Sequence, residues 1–473
     1  MEEYILAKKT SQLSLIAVVI LSVFMFNIDY SMLNISLPTV AKYFNINIAR
    51  ASILPIIYML IVTSLLLGFG KLGDIRGYKK IFIAGVVIFA LGAIVACVSP
   101  TLKILILARI IQSVGEAMFS PIGIAILTTF LPSSMRGTAL GLVALAQGFG
   151  FAAGSPMGGF VTTYLGWRAI FLLDIPIAIL ILLLAFKFIP SKQPETSERR
   201  FDIVGNVLIF IALSTMLYAL TSLQEVTKRH PGIPIFLVIS CLAFILFIIQ
   251  EKKVTYPLLD LHLFKNRSFT FANIASFCAI FLMMGFIFLA PFYFELVRGL
   301  NATQIGILLI IPSLTMTLVA PISGMASDII GSRTICTVGA VLEAMAFVML
   351  FYIRASSGAL PVYIALFSLG LAAGLFLPPN NRLVMLQTPR DKQGVGSGIY
   401  KISLATGSIF GIAIMPIIIL RKAVTMAGKM HVTLAQLKDQ PIILETSFRN
   451  AFFCGIFIAL LAALFAFLAK DPQ

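Results

Sequence analysis

The chain has 473 residues, of which 59% are hydrophobic and only 11% charged, with a mean hydropathy of +1.03, and that balance excludes a water-soluble globular protein. A formal net charge of +16 suggests nucleic acid only until the basic residues are placed, since basic loops on one side of a membrane give the same total. No GxxxxGK[ST] loop is present, the five cysteines (Cys97, Cys241, Cys278, Cys336 and Cys454) show no CxxC spacing, and His230, His262 and His431 are scattered; direct ATP coupling, a metal and a cofactor are therefore not expected.

A spanning helix needs roughly 20 apolar residues. The sequence predicts fourteen spans, at 13–37, 50–70, 79–99, 102–128, 137–164, 167–188, 203–223, 232–250, 268–296, 302–325, 333–353, 358–379, 395–420 and 448–469. The first is a retained helix rather than a signal peptide, because it runs through Ile35-Ser-Leu-Pro38 with no small-residue cleavage pattern. It also carries Asp29. Span four carries Arg109, Gln112 and Glu116 on one helical face. A charge near mid-bilayer costs ~2.5 to 3.5 kcal/mol, so such groups face a partner or a water-filled path. Counted from the helix ends at ~1.5 Å per residue, Asp29 and Arg109 lie at one depth. Protonation of Asp29 would release Arg109, a two-state switch; a static tie between helices one and four uses the same residues. Span five repeats Gly150, Gly154 and Gly158 on one face, allowing close helix contact, and Pro156 adds a bend. Span six contains Asp174, span nine ends on Tyr293 and Glu295, and span eleven holds Glu343 at mid-span. Tyr293 and Glu295 serve equally as an interface anchor or a substrate contact. Lys401 is near enough to its helix end to snorkel. Asn301-Ala-Thr303 fits a glycosylation acceptor.

The connection Gly70-Lys-Leu-Gly-Asp74-Ile-Arg76-Gly77-Tyr-Lys79 returns as Gly324-Met-Ala-Ser-Asp328-Ile-Ile-Gly331-Ser-Arg333, and Gly137, Gly141, Gly150 and Gly154 return as Gly394, Gly398, Gly407 and Gly411. Two glycine frames at nearly one offset indicate duplicated halves. Both connections fall on the same side, so the halves are parallel repeats about an axis along the membrane normal. Six helices per half leave spans seven and eight as an inserted pair. The expected division is 1–188 for the first six-helix bundle, 189–267 for linkers and the inserted helices, and 268–473 for the second bundle. Most of the 35 Lys and Arg, among them Lys8, Lys9, Lys79, Lys80, Arg199, Arg200, Lys252 and Lys253, fall on the side of the chain ends. That bias places both termini in the cytoplasm and reads the positive charge as topology rather than nucleic-acid binding.

These residues resemble the major facilitator superfamily, and within it the fourteen-helix drug:proton antiporter family, over nearly the whole chain. Gly70 to Lys80 resembles the superfamily's loop signature, in which an acid, here Asp74, caps the following helix. Arg109-Ile-Ile-Gln112-Ser-Val-Gly115 resembles the fourth-helix signature, whose Arg is implicated in proton transfer. Gly148 to Gly159 resembles the antiporter signature of the fifth helix. Asp29 to Pro38, including Asn34, Gly166 to Phe171 with Pro176, and Pro257 to Phe264 complete the likeness. The chain departs from the family at Asp174 and Lys401, where Asn is common; Glu116 and Glu343 are additional acids. The resemblance implies an all-α integral membrane protein of the major facilitator fold, two parallel six-helix bundles plus two inserted helices. It implies a proton-coupled exporter in the cytoplasmic membrane, functional as a monomer among lipids, its partners being protons and a small molecule. The substrate is expected to be an amphipathic cation, because acids outnumber bases within the spans; a specific native metabolite is the alternative, and a membrane sensor on the same fold a further one. Asp29, Glu116 and Arg109 are the expected proton-coupling residues. Asn34, Gln112, Asp174, Tyr293, Glu295 and Glu343 are the expected cavity residues. Gly70, Asp74, Arg76, Gly77, Gly150, Gly154, Pro156, Gly158, Asp328, Gly331 and Arg333 are the expected conformational motifs.

Overall fold

A computed structural model of the chain describes residues 2–191, 203–222, 232–254, 261–389, 393–429 and 441–471. Several of the basic residues counted for topology, among them Lys192, Arg199, Arg200, Arg390 and Lys392, lie outside these. The helices are α1 (Glu2–Tyr43), α2 (Ile48–Ala51), α3 (Ile53–Arg76), α4 (Tyr78–Cys97), α5 (Leu102–Phe130), α6 (Ser133–Tyr164), α7 (Ala169–Phe188), α8 (Ile203–Ser222), α9 (Ile233–Lys253), α10 (Arg267–Leu296), α11 (Ala302–Ile330), α12 (Ser332–Tyr352), α13 (Ala359–Leu386), α14 (Gln393–Lys429) and α15 (Pro441–Leu468). No strand occurs among the described residues, as hydrocarbon demands of a chain that must satisfy its own backbone hydrogen bonds.

Among the fully described stretches, twelve helices are long and apolar enough to cross a membrane, and the stretches so described in α3 and α8 are Ile53–Leu66 and Val207–Met216. Several helices outrun the apolar stretches read from the sequence: α1 continues to Tyr43 and α14 to Lys429. Backbone hydrogen bonding carries a helix into polar flanks that hydropathy does not register. Side-chain caps fix other ends. Thr101 accepts from the Ile104 N–H at the start of α5, and Asn301 and Gln304 form a reciprocal capping box at the start of α11. The Asn301-Ala-Thr303 triplet is thereby engaged in structure, with the Thr303 hydroxyl bonded to Thr163 Oγ1 at 2.9 Å.

The chain reverses sharply at Gly77 and Gly331, with φ of 92° and 95°, a region that glycine enters without Cβ strain. These turns mark one end of the helix array, called here the Gly77 face; the α6–α7 connection with Trp167 marks the other. Asp74 lies in the last turn of α3 rather than in the first turn of α4, whose N-cap residue, Gly77, supplies no side-chain bond. At the second turn Asp328 pairs with Arg382 of α13 at 2.8 Å. The N–H groups of Ser332 and Arg333 there are capped by Asp471, each at 3.2 Å. The carboxylate that caps α12 thus comes from beyond α15, not from the loop itself.

The repeat is visible in the packing. Added Cβ atoms on Gly150 and Gly154 of α6 would meet the carbonyl oxygens of Phe24 and Ile28 of α1 at 3.0 and 2.8 Å. Gly407 and Gly411 of α14 press in the same way on the carbonyls of Phe277 and Phe281 of α10. Between the halves, α6 packs along α11: Gly148 lies against Thr317, Gly306 against Ser155, and, nearest the Trp167 face, Gly159 against Ala302. Further toward the Gly77 face, a Cβ on Gly141 of α6 or Gly398 of α14 would meet open space. The halves are therefore joined tightly toward the Trp167 face.

Candidate functional site

Two polar features lie on opposite sides of α1. On one side, Arg109 of α5 is 0% exposed, and its Nη1 donates to Asp29 Oδ2 at 2.8 Å, Asp29 Oδ1 at 3.1 Å and Gln112 Oε1 at 2.8 Å. The expected meeting of Asp29 and Arg109 is present. Nε and Nη2 have no hydrogen-bond partner among the described residues; the guanidinium carbon instead lies 4.1 Å from the Tyr58 ring centre and 5.9 Å from that of Phe171, a cation–π arrangement that partly replaces hydration. Tyr58 of α3 donates its hydroxyl to Glu116 Oε2. One aromatic ring thus links the cation to the second acid, with no Arg109–Glu116 ion pair among the described contacts. Asp174 of α7 completes the cluster, fully buried beside Asp29 and Gln112, with no hydrogen-bond donor to its oxygens among the described residues.

On the other side of α1, a cavity lies between the halves. Ser31, Asn34, Phe151 and Ser155 line it from the first half; Met316 and Glu343 are among the second half's contributions. Residues 31 and 34 are one turn apart on a helix, whereas residue 29 is about 200° round from residue 31. Asp29 accordingly turns its carboxylate away from the cavity and into the first half. Glu343 is 7% exposed and makes no hydrogen bond or ion pair within the chain among the described residues. Asn34 donates to the Tyr30 carbonyl at 2.8 Å, which leaves its Oδ1 without a donor. The hydroxyls of Ser31, Ser155 and Ser313 in the wall are bonded within the chain, and the rest of the wall is apolar. Seen from a ligand, it offers one carboxyl group, one amide acceptor and hydrocarbon.

Of the expected cavity residues, Asn34 and Glu343 are in the wall, while Gln112 and Asp174 belong to the Arg109 cluster. Tyr293 is buried among Phe294, Phe448 and Phe452 and donates to the Ile353 carbonyl at 3.4 Å. Glu295 is half-buried at the end of α10, toward Lys42 of α1. Both sit at the Trp167 face, away from the cavity. Lys401 is exposed on α14. Arg76 is exposed; Arg333 donates to the Phe467 carbonyl at 2.6 Å and lies over that ring. Gly158 abuts Met32 of α1, and Gly70 is spaced by an ordinary contact to Pro121. Tyr58 was missed by sequence reading. Its signal was a phenol in an apolar span, at a depth matching Arg109.

The family profile described as the Major Facilitator Superfamily matches residues 19–412 and 275–473. The chain is 33% identical over 397 residues to the riboflavin transporter RibZ of Clostridioides difficile, covering 83% of this chain and 86% of that protein. It is 27% identical to the multidrug resistance protein Stp of Mycobacterium tuberculosis, over 86% and 75% of the two chains. It is 28% identical to the quinolone resistance protein NorB of Staphylococcus aureus, over 81% and 83%. Among solved structures, a bacterial homologue of the human lysosomal transporter Spinster superposes with a TM-score of 0.72 at 14% identity, covering 98% and 96% of the chains. A D-xylose–proton symporter gives 0.67 at 15% identity, with 98% of each chain covered. With the helical array, the paired glycine seams and a cavity between two halves already in place, these likenesses identify the chain as a transporter of the major facilitator superfamily.

Proposed function

We propose that this transporter is a proton-driven exporter of amphipathic cations. The observation that carries the proposal is the position of α1, which holds Asp29 against Arg109 on one face and lines the cavity with Ser31 and Asn34 on the other. A change in the protonation of the buried acids alters their hold on Arg109 and with it the packing of α1; the cavity wall on the same helix moves with it. Glu343 supplies the counter-charge for a cation, and Phe151, Phe286 and Met316 supply adaptable apolar contact. Rocking of residues 1–188 against 268–473, with 189–267 as the inserted pair and α3 and α8 as the thirteenth and fourteenth spans, exposes that wall alternately. The Gly77 face is cytoplasmic in this scheme, following the basic residues, and one chain suffices because each half contributes to the same cavity. Export accords with the antiporter-type signature at Gly150 to Gly158 and with the similarity to Stp and NorB. One charge moving through ~100 mV supplies about 2.3 kcal/mol, enough for a roughly fiftyfold gradient.

The test is ethidium transport by purified protein in proteoliposomes with pH and voltage gradients imposed separately. Uphill ethidium movement against an inward proton gradient is expected from the wild type and is expected to vanish in Asp29→Asn. Absence of any pH-driven movement in the wild type would overturn the coupling. A second substrate class, an uncharged flavin, is favoured by the similarity to RibZ. Riboflavin transport that survives Glu343→Gln, with no ethidium transport at all, would move the substrate assignment to that class.

A further inference from the structure

We propose that Asp29 and Asp174 form a carboxyl–carboxylate pair sharing one proton, and that Asp174 carries this proton while Asp29 holds Arg109. The inference deepens the proton-coupled reading and rests on it. Asp174 is 0% exposed, and α7 sets it one turn beyond Phe171, whose ring faces Arg109, beside Asp29 of α1 and Gln112 of α5, yet neither of its oxygens has a hydrogen-bond donor among the described residues. The elements packed on α7 are α1, α4 and α6. They bring Asp29 from α1 and the thiol of Cys97 from α4; the charged residue of α6 is Arg136, near its other end. Beyond α1, α5 contributes Arg109, whose cationic Nη1 is already taken by Asp29 and Gln112.

One guanidinium therefore stands beside two carboxyl groups in a site closed to water. Two ionised carboxylates held in one buried cluster repel, and one cation balances only one of them. A proton on Asp174 removes the second negative charge and supplies the missing donor, Asp174 O–H to Asp29 O⁻. Its departure to water leaves Asp174 ionised, with no other bond made or broken. The new carboxylate then competes with Asp29 for Arg109, whose Nε and Nη2 have hydrogen-bonding capacity to spare. Arg109 passes from α1 toward α7, and α1 is released. Asn, common here in the drug:proton family, holds the position in one uncharged form; Asp makes it titratable.

The decisive comparison is wild type, Asp174→Asn and Asp174→Glu, each assayed for ethidium transport in proteoliposomes at fixed voltage and varied pH gradient. Asp174→Asn is expected to move one proton fewer per ethidium, lowering the limiting gradient by about fiftyfold at ~100 mV, while Asp174→Glu restores the wild-type stoichiometry. Unchanged stoichiometry in Asp174→Asn, with pH-driven transport intact in the wild type, overturns this inference and leaves the proton-coupled reading standing. No pH-driven transport in the wild type overturns that reading instead. Should Asp174→Asn fail to fold, infrared difference spectra of wild type and Asp174→Glu between acid and alkaline pH decide. A carboxylic C=O band that shifts between the two proteins is expected, and a band common to both refutes the assignment to position 174.

Discussion

Asp29 of α1 and Leu282 of α10 occupy equivalent places, each following the carbonyl on which a glycine of α6 or α14 presses. The correspondence extends through the halves. Gly85 rests on the Gly115 carbonyl as Gly339 rests on that of Ala372, which matches Arg109 to Leu366 and Glu343 to Phe89. Lys79 donates to the Phe186 carbonyl as Arg333 does to that of Phe467, which matches Asp174 to Gly455, where the Phe347 ring fills the space. Leu282 and Leu366 are both fully buried. The second half thus shows that this helix packing closes on hydrocarbon alone. The ions of the first half are not required by the architecture, and burying them costs desolvation that pairing only partly offsets. The proposed proton coupling gives them a role, since it works through their changes of charge or partner.

The harshest way to break this comparison is to give the first half part of the second half's content. Arg109→Leu leaves Asp29 buried without its cation and is expected to cost ~3–5 kcal/mol, read as loss of folded protein in thermal unfolding in detergent. Asp29→Leu with Arg109→Leu, which reproduces Leu282 and Leu366, is expected to recover most of that stability while abolishing pH-driven ethidium transport. Failure of the double variant to fold better than Arg109→Leu would mean that the halves are not interchangeable at this point. Gly154→Leu probes the shared seam instead: it forces α6 off Ile28 and Ser31 and is expected to cost ~1–3 kcal/mol by overpacking. Gly141→Leu faces open space and should stay within ~0.5 kcal/mol in the same unfolding assay.

Glu343→Gln sharpens the contrast in the other direction, since the acid stands where the first half has Phe89. An expected tenfold or larger loss of ethidium affinity, worth about 1.4 kcal/mol, would be measured by equilibrium binding, with folding unaffected. A small effect is also expected from Asp328→Asn, which removes the partly exposed pair with Arg382 and should cost ~0.2–1 kcal/mol. A larger penalty at the Gly331 turn would show that the Asp471 cap depends on it.

Much of the fold was legible because hydrocarbon imposes simple rules. Apolar length marked the spans, the Gly77 and Gly331 turns marked the repeat, and glycines every fourth residue marked a close contact along α6, whose partner proved to be α1. The Asp29–Arg109 contact was legible as well, since depth along two antiparallel helices follows from counting residues. Tyr58 and Asp174 were harder. Which helices surround α5, and at what rotation, depends on packing among α1, α3, α4 and α7, and hydrophobic periodicity is weak in a helix apolar on all sides. For the same reason Gln112 and Asp174 read as cavity residues, although they turn inward within the first half, and Asp471 gave no sign that it caps α12.

The sequence alone determined that the chain is a membrane bundle built twice, and that its first half buries charge, because solvation energy and residue period act locally along each helix. Tertiary structure decided which charges touch, that α1 separates them from the cavity, and that Glu343 meets that cavity without a partner among the described residues. Those outcomes depend on helix rotation and close contact across distant segments, which no local property of the chain fixes.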